Sequence, residues 1–363
     1  MPNILHLSSA KSWRGGEQQI ANLIKELRTD NVNQIVVCPS GSPLEGYCSK
    51  NKFKCNAFKK RFGFDPLFAW NVYKTCKKEK STIIHAHDPQ AHTTAVFNSL
   101  FLFAKPIIVI NRRVIFPIKQ SLFTKFKYNY SKVKKVICVS HAVKKEVQKI
   151  VTEDKATVIH SSINPSNLES FKTGLLRKEL SLNENKQIVA IVSALTKEKG
   201  IETFLNTAKI LLESKLNLHC VVIGQGILQD SLIKQCEKLQ ISDSVSFLGF
   251  RENVKELLLD INLLLFTSKS EGLGTSLLEA VEMNVPIVAY NTGGIPEIIK
   301  HLETGYLVQE YSAVEFAKGA KELLQNKTLR DSITKQAKEN IGNFSSQKMA
   351  KSTLMVYNSI LGN

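Results

Sequence analysis

Apolar runs of strand length alternate with stretches of helical apolar spacing along almost the whole chain, and the alternation runs through twice. In the first pass, residues 3–8, 34–38, 81–85, 107–110, 136–139 and 158–159 read as strands. Residues 17–28, with Ile20, Leu23, Ile24 and Leu27 on one face, read as a helix, as do 91–103 and 142–150. In the second pass, 187–192, 218–223, 245–248, 263–266 and 286–290 read as strands, and 305–308 as a short edge strand. Helices are predicted over 200–212, 228–239, 254–259 and 274–283, and over most of the chain beyond 308. Strands separated by helices form parallel sheets, and right-handed crossovers place the helices on both faces. A chain of 363 residues predicts two domains. The boundary is expected within 164–172, where Pro165 and Ser166 interrupt any apolar period. The expected class is therefore α/β with two doubly wound sheets. Ligands of such sheets bind beyond the carboxyl ends of the strands, edges that two domains can turn toward each other across a cleft.

Composition narrows the class. With 43% hydrophobic and 22% charged residues, disorder, collagen and a disulfide-stapled scaffold are excluded. Seven cysteines without a CxxC pair predict a reducing compartment, small buried thiols and no zinc site. The first residues lack the basic and cleavage regions of a signal peptide. The best apolar stretch, 100–110, is broken at Lys105-Pro106 and falls short of the ~20 residues a spanning helix needs. A cytoplasmic protein is expected.

Charge is segregated. Residues 1–165 hold 27 basic and 10 acidic residues, which is the whole net charge of +17; the remainder is balanced at 22 of each. Such a half-chain is suited to an anionic surface, either nucleic acid or an acidic membrane leaflet. Aromatics interleave with the cations at 58–64 (Phe58, Lys59, Lys60, Arg61, Phe62, Phe64) and at 112–135 (Phe116, Phe123, Phe126, Tyr128, Tyr130). Taken singly, each is a solvated lysine or a core ring. Taken together they favour peripheral binding to the inner membrane face. No helix-turn-helix, ribonucleoprotein or zinc-finger pattern supports nucleic acid.

The strand-end loops carry the chemistry. Gly15-Gly16 before a helix lets backbone amides approach a phosphate or sugar; a glycine turn with no ligand fits the same residues. Gly224-Gln225-Gly226 is half a dinucleotide fingerprint, without the third glycine or a strand-end acid ~20 residues on, so a nicotinamide site is rejected. The strongest signal is 268–280. Glu271 precedes a glycine-rich helix start, Glu279 lies two turns in, and the amides of Leu273, Gly274, Thr275 and Ser276 offer an anion site. Carboxylates on both sides of a phosphate site match a nucleotide sugar. An amphipathic helix with an acidic first turn matches the residues too.

The segment from Glu271 to Pro296-Glu297, with Pro286-Ile287-Val288-Ala289 and Gly293-Gly294 inside it, resembles the Glu-x7-Glu region of the retaining glycosyltransferase family 4. Gly15-Gly16-Glu17, His85-Ala86-His87-Asp88, Ser140-His141, Phe247-Leu248-Gly249-Phe250 and the closing stretch 349–361 resemble other family landmarks in order. The resemblance implies a GT-B fold, with two facing Rossmann-like domains and a final helix crossing back. An acceptor domain is expected over 1–165 with 347–363, and a nucleotide-sugar domain over 166–346. It implies that Glu271 meets the donor sugar and Glu279 the ribose. The amides of 273–276 would hold the diphosphate, with Lys199 neutralising it in place of a metal. Gly15, Gly16, Gly224, Gly226 and Phe250 would line the donor, and no cofactor is expected. Asp88, His85, His87, Arg112 and Arg113 are acceptor-side candidates, with Glu271, Lys199, Asp88 and Arg112 the catalytic set.

Three positions depart from the family pattern. The stretch 193–196 lacks the usual arginine, for which Lys197 is a candidate substitute. Arg112-Arg113 stands where many members place a histidine. The hinge reads Ser161-Ser162-Ile163-Asn164. The expected reaction is retaining transfer of a sugar from a UDP- or GDP-type donor to a glycan or lipid-linked acceptor, in surface polysaccharide or lipopolysaccharide synthesis. A GT-B epimerase or phosphorylase is the alternative, and a non-enzymatic anion- or nucleic-acid-binding protein a further one.

Overall fold

The structure, a computed structural model, describes residues 2–30, 32–115, 118, 121–164 and 171–362. Phe116 and most of the boundary expected at 164–172, including Pro165 and Ser166, lie outside the described residues. The chain divides into two units, one of Met1–Asn164 with Phe344–Asn363 and one of Pro165–Asn343.

The first unit contains β1 (Asn3–Leu7), α1 (Gly15–Thr29), β2 (Asn33–Pro39), α2 (Pro43–Lys50), β3 (Cys55–Phe58), α3 (Pro66–Lys78), β4 (Ile83–Ala86), α4 (Pro89–Phe101), β5 (Ile107–Arg112), α5 (Leu122–Asn129), β6 (Val133–Cys138), α6 (His141–Val147) and β7 (Ala156–Val158). Its seven strands are all parallel in the order β3-β2-β1-β4-β5-β6-β7. The second unit contains α7 (Leu175–Glu179), β8 (Gln187–Val192), α8 (Ile201–Glu213), β9 (Leu218–Ile223), α9 (Gln229–Lys238), β10 (Val245–Gly249), α10 (Val254–Leu258), β11 (Leu263–Phe266), α11 (Thr275–Glu282), β12 (Ile287–Tyr290), β13 (Tyr306–Val308), α12 (Ala313–Gln325) and α13 (Lys327–Asn340). Its parallel sheet runs β10-β9-β8-β11-β12-β13. The strand cores are continuous apolar runs such as LLLF in β11, as sheets covered on both faces require.

Strand order reverses between β1 and β4 in one sheet and between β8 and β11 in the other. At each reversal the crossovers leave toward opposite sides and open a crevice at the carboxyl edge.

The last helix, α14 (Ser346–Leu361), belongs to the first unit and packs against α1. Its Tyr357 is fully buried among Ile4, Leu23, Leu27, Ile83 and Val109. The phenol meets His85 Nδ1 at 2.5 Å. His85 belongs to a trio: His6 Nδ1 lies 3.0 Å from His87 Nε2, and the His85 and His87 ring centroids are 4.1 Å apart. Burial holds all three imidazoles neutral. His6 is brought down to about 3, and His85 and His87 stay well below the usual value, with neighbouring charges as a second cause.

This core contributes to the stability of the first unit. Tyr357→Phe removes a buried hydrogen bond and should cost about 1–2 kcal/mol, and Tyr357→Ala about 3–5 kcal/mol, read by urea unfolding. The histidines also make stability depend on pH. The unfolded chain takes up protons near pH 6.5 that the folded unit refuses, so stability falls as pH drops below that value. The slope is at most about 1.4 kcal/mol per pH unit for each histidine. The urea midpoint should therefore fall between pH 7 and pH 5, and His6→Gln should flatten the fall; a midpoint independent of pH would contradict the neutral trio.

Candidate active site

At the β1/β4 reversal, Asp88 caps α4 by accepting from the amides of Gln90 and Ala91, each at 2.9 Å. The same carboxylate takes the Ser9 amide at 2.6 Å and the Ser9 hydroxyl. Both oxygens are thus committed to holding the β1 and β4 exits together. His87 Nδ1 receives Asn111 and Arg113, both at 3.2 Å; a guanidinium only donates, so Nδ1 is the acceptor and the ring proton sits on Nε2. Arg113 also donates to the Gly16 carbonyl at 2.9 Å. Burial draws Arg113 down to about 10, against the opposing charges of Glu17 and Asp88. Glu17 is itself buried and raised by that burial; it accepts from the Arg14 amide at 3.1 Å and closes the first turn of α1.

Several expected residues separate here. The helix begins at Gly15 rather than Glu17, so Gly15 and Gly16 are its first two residues and their amides lack intrahelical acceptors. His85 is fully buried beneath Tyr357 and presents no surface to an acceptor. Arg112 is the last residue of β5 and Arg113 the first beyond it, and their side chains go to different partners. Arg113 joins Gly16 and His87, whereas Arg112 acts on Tyr128 and Lys127 of α5. Arg113, Glu17 and Ser9 are therefore the structural partners of this edge; of them, the sequence singles out Arg113 as a site candidate.

His6, His85 and His87 have donor atoms within 4.8 Å of one another, the spacing of a metal site among the described residues. No carboxylate joins them, and the Arg113 cation touches one of them, so the trio is suited to a hydrogen-bonded network instead. A cavity of about 20 Å³, room for one water, lies between Arg113, Asn111, His160 and Thr353.

At the β8/β11 reversal the exits are also laced together. The Lys269 amide donates to the Glu198 carbonyl at 2.8 Å, and Thr267 Oγ1 to the Gly200 carbonyl at 2.9 Å. Gly200 adopts φ 64° where a Cβ would collide with Tyr311 Oη and the Thr267 carbonyl. This lacing brings Lys199 and Glu271 into a largely buried ion pair. Glu271 is further fixed through its backbone. Its carbonyl accepts the Gly294 amide at 3.1 Å, and at Gly293 (φ 56°) any Cβ would strike that same carbonyl. The glycine pair after β12 is thus there to let the Glu271 loop sit close.

α11 opens at Gly274, in the left-handed region at φ 88°, and leaves the Thr275 and Ser276 amides without intrahelical acceptors. Glu279 lies on the same helix, half-buried. Burial raises its carboxyl, with Lys255 opposing and Glu282 adding to the rise. Gly224 and Gly226 have a packing reason: a Cβ on either would meet the Ser193 or Leu195 carbonyl. Phe250 follows β10 and is 54% exposed. Ser193 is half-buried, and Lys197 is exposed with no ion pair among the described residues.

Comparison with known proteins agrees with this architecture. A profile described as Glycosyltransferase Family 4 matches residues 13–167, and one described as glycosyl transferases group 1 matches 173–340. The N-acetyl-alpha-D-glucosaminyl L-malate synthase of Bacillus anthracis is 26% identical over 306 residues, 82% of this chain and 80% of that enzyme. The capsular polysaccharide biosynthesis glycosyltransferase CapM of Staphylococcus aureus is 24% identical over 245 residues, 62% of each. The crystal structure of Anabaena HepE with UDP and glucose matches with a TM-score of 0.86 at 19% identity, covering 99% of this chain and 100% of that one. With two Rossmann-like parallel-sheet units of GT-B type and both halves matched, the chain belongs to glycosyltransferase family 4 and is a glycosyltransferase.

Proposed function

We propose that this enzyme moves a sugar, with retention of configuration and without a metal, from a UDP- or GDP-type nucleotide sugar to a hydroxyl of a glycan or lipid-linked acceptor. The setting we propose is surface polysaccharide or glycoconjugate assembly in the cytoplasm. The observation that carries the reading is the largely buried Lys199–Glu271 pair beside the open amides of α11. HepE, a match in fold, is described with UDP and glucose, and CapM by capsular polysaccharide biosynthesis, and both support it.

The barrier to such a transfer is charge separation, as an oxocarbenium-like sugar parts from a diphosphate. Fixed amides and a cation aimed at the departing oxygens lower it. The amides of Leu273, Gly274, Thr275 and Ser276 and the Lys199 ammonium take that part. Glu271 accepts from the sugar hydroxyls, and Glu279 from the ribose. Phe250 lies against the base, with Gly224 and Gly226 shaping the floor. In the first unit, taken by itself, Gly15 and Gly16 present open amides at the start of α1, and Arg113, Asp88 and His87 form the edge we assign to the acceptor. The departing oxygen takes the acceptor proton on the same face, so no separate protein base is required.

A thermal-shift panel of UDP, GDP and ADP sugars identifies the donor. At a hundredfold excess over Kd the matching nucleotide should add about 2.7 kcal/mol, a rise of roughly 5–10 °C. Glu279→Gln should lose most of that shift while stabilising the free protein, because it removes a half-buried carboxylate whose charge is penalised by desolvation. No shift with any nucleotide sugar would end the reading. Glu271→Gln should lower turnover by about 10³-fold yet keep the nucleotide shift, since it leaves Lys199 free for phosphate. Full turnover in that variant, or interconversion of nucleotide sugars with no acceptor present, would overturn the assignment.

A further inference from the structure

We propose that the face of the first unit formed by α3, α4 and α5 docks on an anionic lipid bilayer. The proposal goes beyond the transfer reaction and stands on the surface alone. Strands β4 to β7 run in chain order to one side of β1, and β2 and β3 to the other. Right-handed crossovers therefore put α3, α4 and α5 on the face opposite α1 and α14.

Seven of the eight exposed aromatic side chains among the described residues lie between positions 62 and 126: Phe62, Phe64, Trp70, Phe101, Phe103, Phe123 and Phe126. Single exposed apolar residues are ordinary, but a joined set marks an interaction surface. These are joined. Phe64 packs edge-on against Phe97, and Phe97 against Phe101, each at 4.9 Å between centroids, a stripe along α4. α5 lies beside α4, with Lys127 Nζ 3.1 Å from Thr93 Oγ1 and Tyr130 Oη 3.1 Å from Ser99 Oγ. At the start of α5, Leu122 is 87% exposed and Phe123 63%.

Charge complements the rings. Residues 58–130 contain 13 Lys and Arg against three carboxylates. All three carboxylates are engaged within the fold. Asp65 takes the amides of Arg61, Leu67 and Phe68 at 2.8–3.2 Å, Glu79 pairs with Lys54, and Asp88 holds the Ser9 loop. Lys59, Arg61, Lys74, Lys105 and Lys125 remain exposed around the aromatic stripe.

A surface of rings and aliphatic side chains ringed by cations, with no competing carboxylate, fits acyl chains below and lipid phosphate above. Nucleic acid would use the rings for stacking but leaves no role for Leu122 and Leu67, which is 60% exposed. No helix among the described residues is long and apolar enough to cross a membrane, so the binding is peripheral.

The test uses the full chain and sedimentation with phosphatidylcholine vesicles, with and without phosphatidylglycerol. Wild type should sediment with the anionic vesicles, and about tenfold less in 1 M salt, where the screening length falls from about 10 Å to about 3 Å. Phe123→Ser with Phe126→Ser, and separately Lys59→Glu with Arg61→Glu, should each weaken binding by about tenfold or more. Val314→Ser, at an exposed position on α12, should bind like wild type. Urea midpoints of the variants report folding and nucleotide-induced thermal shifts report the donor site, so a failed donor assignment leaves the sedimentation result readable. Wild type left in the supernatant with anionic vesicles, double variants that sediment like wild type, or binding to duplex DNA in place of vesicles would overturn the proposal.

Discussion

Where strand order reverses, the crossover helices of two neighbouring strands leave toward opposite faces of the sheet, and hydrogen bonds between the exit loops hold the edge together. In the first unit the Asp88 carboxylate does this by capping α4 and gripping Ser9 across the gap. In the second, Lys269 to Glu198 and Thr267 to Gly200 do it through the backbone. A side chain on either loop is then fixed by the same bonds that close the sheet edge. The buried charges depend on this constraint, because a lysine or arginine tethered only by its own flexible stem would swing into water.

The two edges use their charge differently. Around β1 and β4 the imidazoles are kept neutral and a single guanidinium, Arg113, holds Gly16 and His87 while Glu17 and Asp88 balance it. It is an edge of fixed dipoles and little free charge. Around β8 and β11 the Lys199–Glu271 pair is largely buried with an open helix start next to it, and burial raises Glu279 on the same helix. That edge has charge available to rearrange, which an incoming anion can exploit.

The sheets are readable from sequence because each buried strand is an unbroken apolar run; β8, β9 and β11 fall where the pattern puts them. The stretch 39–80 is not legible in that way. β3 is a four-residue edge strand whose residues are all half-buried, so it has neither an apolar run nor alternation. Its neighbours α2 and α3 do carry a start signal, Ser42-Pro43 and Asp65-Pro66, a capping side chain followed by a proline at the first turn. Of the site, the Glu271 segment is legible because its residues are contiguous. The Asp88 clamp, the Arg113 contacts and the histidine trio are not, since Ser9 and Asp88 are 79 residues apart and His6 and His87 are 81 apart. Pairings made by strand order leave no spacing in the chain. Arg112 and Arg113 read as one basic pair until the end of β5 separates them, Arg112 toward α5 and Arg113 toward Gly16 and His87.

The missing family arginine bears on how one lysine suffices. Ser193 stands near that place, and its carbonyl is pressed so close to Gly224 that no Cβ fits between the loops. This crowding belongs to the exit from β8 and would remain whatever side chain occupied 193. On the proposed reading, a diphosphate draws Lys199 away from Glu271, and the released carboxylate turns to the sugar hydroxyls. The ion pair of the free enzyme is then a stored counterion, with each partner waiting for a ligand group of the charge or polarity it now finds in the other. The open amides of α11 cannot be quenched in the same way, since no side chain caps Gly274. They remain available before any ligand arrives, and donors that need no reorganisation are the ones that stabilise a departing dianion most. On the proposed reading, these backbone dipoles work beside Lys199 where the family pattern has a second cation.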